Sequence, residues 1–131
     1  MIKMMNREML EVLDGLRAIG NEVLPIKAAY WVAKITKKMV SEFSDYEAQR
    51  KAIIEKYAEK DEKGSMLMEN NKPRFGANKN QAEEDYQKLL DIVIEIDVNP
   101  MKIIDFDFKN IQPNKIIPLL GTVIEDEAED K

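Results

Sequence analysis

The 131-residue chain contains neither cysteine nor histidine. Those absences exclude disulfides, thiolate metal sites, cysteine nucleophiles and serine–histidine triads, and they remove the commonest general base. An apolar fraction of 44% suffices for a core, while a net charge of −5 argues against sequence-independent binding to nucleic-acid phosphates.

The charge is uneven. Residues 1–60 carry 11 basic and 9 acidic side chains, and residues 61–131 carry 9 basic and 16 acidic. The acidic excess gathers in Glu125-Asp126-Glu127-Ala128-Glu129-Asp130. One domain over 1–124 is expected, with 125–131 as an acidic tail predicted to be disordered. No stretch approaches the roughly 20 apolar residues of a membrane span, and Met1–Glu8 becomes charged too early for a secretory signal. An intracellular protein is expected.

In chain order, Met1–Met5 is apolar apart from Lys3 and reads as a short strand. Asn6 offers a cap for a helix over about 6–20, in which Met9, Val12, Leu16, Ile19 and Val23 recur at steps of three or four. Gly15 weakens that helix, and Gly20-Asn21 loosens its end. Pro25 suits the first position of the next helix, which then runs without glycine or proline to about Lys60. At the standard rise it would be on the order of 50 Å long.

Along that helix Ala28, Val32, Ile35, Met39, Phe43, Tyr46, Ile53 and Tyr57 form one stripe, with Arg50 in register. Two readings stay open: an αα-hairpin with the first helix, or a seam shared between subunits. The lower part, Tyr46, Arg50, Ile53 and Tyr57, is expected to lie under the helix near 81–91 and the strands, or under a partner. Trp31, Met39, Phe43, Tyr46, Arg50, Ile53 and Tyr57 are therefore the candidate interaction residues, with Trp31 as an anchor.

Asp61–Gly64 stops the long helix; for Ser65 to Asn80 two readings stay open, a small β-hairpin turning at Asn70-Asn71 or a mobile loop. Asn80, with Glu83 in capping-box position, predicts a helix over about 81–91 bearing Tyr86, Leu89 and Leu90. Alternation over Ile92–Val98 and Ile104–Phe108 then predicts two paired strands with a turn at Asn99-Pro100. Pro113 opens a short apolar helix that Pro118 limits. The fold class expected is α+β, mainly α: an αα-hairpin with one long helix (about 25–60), a further helix (about 81–91) and a small antiparallel β element near 92–108.

Chemistry-bearing constellations are sparse. If the two strands paired, Glu95 and Asp97 would meet Asp105 and Asp107 and could hold a hard divalent cation. A solvated strand face is the simpler reading, so no cofactor and no catalytic or metal residue is assigned. Lys27, Lys34 and Lys38 share one face of the long helix, beside Lys37, Tyr30 and Trp31. That pattern could grip a nucleic acid, but an ordinary solvated face is favoured. The five glycines form no phosphate-binding loop.

Several segments together carry a resemblance. Leu24-Pro25-Ile26-Lys27-Ala28-Ala29-Tyr30-Trp31 opens the long helix, which ends Tyr57-Ala58-Glu59-Lys60-Asp61-Glu62-Lys63-Gly64. Later come Leu89-Leu90, Val93-Ile94-Glu95-Ile96-Asp97 and Ile111-Gln112-Pro113, with Leu119-Leu120 before the acidic end. This grammar is similar to that of a family of small uncharacterised proteins encoded by tailed bacteriophages and prophages of Gram-positive bacteria. The resemblance implies a phage protein acting through protein contacts in the host cytoplasm, or in the virion, and carries over no catalytic residue. The expected function is a non-enzymatic, self-associating assembly or structural accessory factor. The alternative is an acidic inhibitor that binds a host defence or nucleic-acid-processing protein, with the −7 of residues 61–131 steering it to a basic groove.

Overall fold

A computed structural model describes residues 1–106 and 113–125. The chain begins with strand β1 (Ile2–Met5), helix α1 (Asn6–Gly20) and the long helix α2 (Ile26–Tyr57). A hairpin of β2 (Met68–Glu69) and β3 (Lys72–Pro73) follows, then α3 (Lys79–Leu90) and β4 (Val93–Ile96). The end carries β5 (Met101–Lys102), a short helix α4 (Pro113–Ile116) and β6 (Ile124–Glu125). The fold is α+β and mainly α, as the periodicity predicts. Two compact units divide it, Met1–Phe43 with Val93–Lys131 and Ser44–Ile92, and α2 runs through both.

In the first unit, α1 and the upper part of α2 form the expected hairpin. Met9, Leu13, Leu16 and Ile19 of α1 and Ala28, Ile35 and Met39 of α2 are almost wholly buried. Each large side chain among them contributes roughly 1.5–3 kcal/mol by leaving water. Met5, not Asn6, is the N-cap; Asn6 is the first helical residue and is itself buried. The Glu8 carboxylate accepts a hydrogen bond from the Met5 backbone N–H at 3.2 Å, closing the N-terminal turn. Val23, expected on the apolar face of α1, is 77% exposed because the helix has already ended.

Pairing departs from the sequence expectation. β4 is antiparallel to β1, with Ile2 opposite Ile96, Lys3 opposite Glu95 and Met4 opposite Ile94. Ile2, Met4 and Ile96 point into the core, and Lys3 and Glu95 form a 3.4 Å ion pair on the wet side. Ile103–Asp105 is a 3₁₀ turn rather than a strand, and β5 runs parallel to β6. Local alternation identifies a strand but not its partner, and the partner of β4 is β1. Phe108, Asp107 and residues 126–131 of the acidic tail lie outside the described residues.

The C-terminal turns close the core from below. Ile116, Leu119, Val123 and Ile124 are fully buried, with Leu119 against Gly15 of α1. A Cβ built on Gly15 would sit 2.7 Å from Leu119 Cδ2, so this glycine is where the 3₁₀ turn Ile117–Leu119 approaches the helix. Lys115 donates to Glu22, tying α4 to the α1–α2 connection.

Candidate functional site

In the second unit, the lower half of α2 presents Tyr46, Arg50, Ile53 and Tyr57 along one face, and α3 covers it. Tyr46 is buried, and its hydroxyl meets that of Tyr86 at 2.8 Å. Burial, reinforced by the Tyr86 hydroxyl, pushes Tyr46 well above the usual tyrosine range. At the last residue of α2, the Tyr57 hydroxyl donates to Asp85 at 2.6 Å and holds that carboxyl below its ordinary value. Arg50 is held by Glu47 at 2.8 and 3.2 Å; the bond lowers the carboxyl and raises the guanidinium.

The chain then folds back over this helix. Asp61 accepts from the Lys63 and Ser65 backbone N–H groups at 2.9 and 3.0 Å, and Gly64 takes φ +83° to complete the reversal. Asn70 and Asn71 both adopt positive φ, 52° and 64°, as a tight hairpin turn requires. The backbone of Glu59 bonds to Arg74 O and to the Leu67 N–H, both at 2.7 Å, and the Glu59 carboxylate accepts from the Arg74 guanidinium at 2.9 Å. Gly76, at φ +54°, lets the chain pass directly beside that carboxylate. Asn78, not Asn80, is the N-cap of α3, and its side-chain amide donates to Tyr57 O at 3.2 Å. The Asn80–Glu83 capping box does not form because α3 has already begun at Lys79.

Between α2, the hairpin and α3 lies a groove of about 680 Å³. Ile53, Ile54, Pro73, Phe75, Ala82 and Tyr86 supply apolar walls, while Arg50, Lys72, Lys79 and Glu83 stand at the polar positions. With Arg50 neutralised by Glu47, Lys72 and Lys79 against Glu83 leave the slot a slight positive excess on an acidic protein. It can take an apolar side chain and place neighbouring carboxylates against the lysines.

The sequence-nominated residues divide between the units. Tyr46, Arg50, Ile53 and Tyr57 gather under α3 with the groove. In the first unit Met39 is fully buried. Phe43 is half-buried beneath the Arg17 guanidinium, 5.8 Å from its ring centre. Trp31 is half-buried, edge-on to Tyr30 at 5.3 Å, with the Lys34 ammonium 5.1 Å from its ring. Sequence spacing does not single out the groove residues Lys72, Phe75, Lys79 and Ala82; the Asn70-Asn71 turn is the signal that returns them toward α2.

The four-carboxylate cluster does not assemble. Glu95 faces Lys3, Asp105 pairs with Lys27 at 3.4 Å, and Asp107 lies outside the described residues. Among the described residues no three carboxylates converge, and no described helix is long and apolar enough to cross a membrane. No protein-family model matches the sequence, and comparison with curated proteins and with solved structures finds no match.

Proposed function

We propose that this is a non-enzymatic interaction protein that takes an apolar-anchored acidic segment of another protein into the groove between α2, the β2–β3 hairpin and α3. The observation that carries the reading is the composition of that groove, apolar walls with the exposed Lys72 and Lys79 against Glu83, while Arg50 is paired with Glu47. Charge complementarity selects an acidic occupant, and the apolar walls select one with a bulky anchor. In the phage setting that the resemblance implies, the occupant would be a virion component during assembly or a host protein.

A second reading, self-association through α2, rests on Phe43, Arg50, Ile53 and Tyr57, which are only half-buried.

The test uses a fluorescent peptide with one phenylalanine flanked by glutamates, titrated by anisotropy against the whole chain. Saturable binding is expected, weakened about tenfold by Lys72→Glu with Lys79→Glu, both exposed positions that leave the fold intact. Equal binding of a lysine-flanked counterpart, or no binding at all, overturns the reading.

A further inference from the structure

The upper half of α2 carries a second apolar stripe, opposite the buried one and packed under no element among the described residues. Ile26 is 89% exposed, Tyr30 58% and Val40 41%, with Ala33 and Lys37 exposed between them. The steps along Ile26, Tyr30, Ala33, Lys37 and Val40 are four, three, four and three. That is the spacing of a coiled-coil seam, and it extends over about 21 Å of helix. Core positions Ala28, Val32, Ile35 and Met39 occupy the other side of the same turns, so the outward stripe is a face in its own right.

Charge narrows the occupant. From Val23 to Ser41 there is no aspartate or glutamate, and there are four lysines, Lys27, Lys34, Lys37 and Lys38. Lys27 is committed to Asp105, while Lys34, Lys37 and Lys38 have no ion-pair partner among the described residues. The first turn of α2 also lacks the acidic residue that commonly offsets the positive end of a helix. A second copy docked through the same face would set lysines against lysines. A membrane surface would meet a lysine in the middle of the stripe, at Lys37, where an inserting face needs apolar side chains. An acidic helix meets both demands: apolar residues at its seam for Ile26, Tyr30 and Val40, and carboxylates for Lys34, Lys37 and Lys38.

We infer that the outward face of α2 between Ile26 and Val40 docks an acidic amphipathic helix from another protein. This surface is separate from the groove on the second unit, and neither proposal depends on the other.

Trp31 is the sole tryptophan and sits edge-on to Tyr30 under Lys34, so its emission reports on the stripe directly. The probe is a three-heptad peptide without aromatic residues, leucine at its seam and glutamate on both flanks; a lysine-flanked version is the control. The expected result is a saturable change in Trp31 emission with the acidic peptide and none with the control. Reversal of Lys34, Lys37 and Lys38 to glutamate should weaken the acidic peptide about tenfold or more and confer binding of the lysine-flanked one. Ile26→Asp, at a solvent-exposed position, should abolish binding while leaving the circular dichroism spectrum unchanged. Equal response to both peptides, or none at hundreds of micromolar, overturns the inference. Tighter binding of phosphatidylglycerol vesicles or of a single-stranded oligonucleotide than of the acidic peptide also overturns it. So does sedimentation showing a dimer of the protein alone that Ile26→Asp dissolves, because a second copy would then own the face.

Discussion

Replacing Gly15 by alanine sets local propensity against tertiary packing, and the two disagree in sign. In the middle of α1, glycine to alanine should gain about 0.8–1 kcal/mol from backbone entropy alone. The added Cβ, however, lies 2.7 Å from Leu119 Cδ2 and 3.4 Å from its Cγ, with Pro118 Cβ 3.8 Å away. Leu119 is fully buried, so it cannot swing into solvent; it must displace its neighbours. Overpacking of this kind costs about 1–3 kcal/mol, and the balance is a net loss of about 1 kcal/mol, or roughly 4 °C in Tm for a chain of this size. Gly20→Ala is the internal control. Its Cβ would rest 3.9 Å from Val32 Cγ1, an ordinary contact at the exposed end of the same helix, and should raise Tm by about 2 °C. Thermal unfolding followed by far-ultraviolet circular dichroism reads both. In a Leu119→Ala background the sign at Gly15 should invert, because the obstructing atoms are gone. If Gly15→Ala stabilises the wild-type chain as much as Gly20→Ala does, the close approach of the C-terminal turn to α1 is wrong.

Three further outcomes are expected from the second unit. A buried tyrosine held protonated loses its stabilising advantage as pH rises past about 10, where the unfolded chain releases that proton first, so stability should fall by up to about 1.4 kcal/mol per pH unit there. Tyr46→Phe should flatten this alkaline limb and cost about 1 kcal/mol at neutral pH through the lost Tyr86 hydrogen bond; an unchanged alkaline slope in denaturant titrations would contradict the assignment. Asp85 and Glu47, both held below their ordinary values, contribute stability above about pH 4 that is lost on further acidification, and Tyr57→Phe should shrink the Asp85 share of that acid limb. Gly76→Ala should destabilise by about 1–3 kcal/mol, since it combines positive φ with a clash against the Glu59 carboxylate, and Glu59→Ala should recover only the steric part.

Much of the candidate site was legible. The stripe through Tyr46, Arg50, Ile53 and Tyr57 follows from helical spacing, and the need to cover it follows from the modest reach of helix 6–20. The β2–β3 turn was legible at Asn70-Asn71, because few residues other than glycine tolerate positive φ twice in succession. Its consequence was not: which side chains of residues 72–79 return to line a groove depends on Asp61, Gly64 and Gly76 setting the path. The outward stripe from Ile26 to Val40 was present in the sequence too, but only burial of the opposite side separates an unused face from a core one.

By itself, the sequence determined the helices, because their periodicity and boundary residues act within a few turns. It also determined which chemistries are closed, because absent histidine and cysteine cannot be supplied by folding. Tertiary structure alone decided the pairing of β4 with β1, since alternation specifies a face and not a neighbour. It likewise decided the role of Gly15, which local propensity marks as a weak point in α1. Leu119, more than a hundred residues away along the chain, makes it the position where no side chain fits.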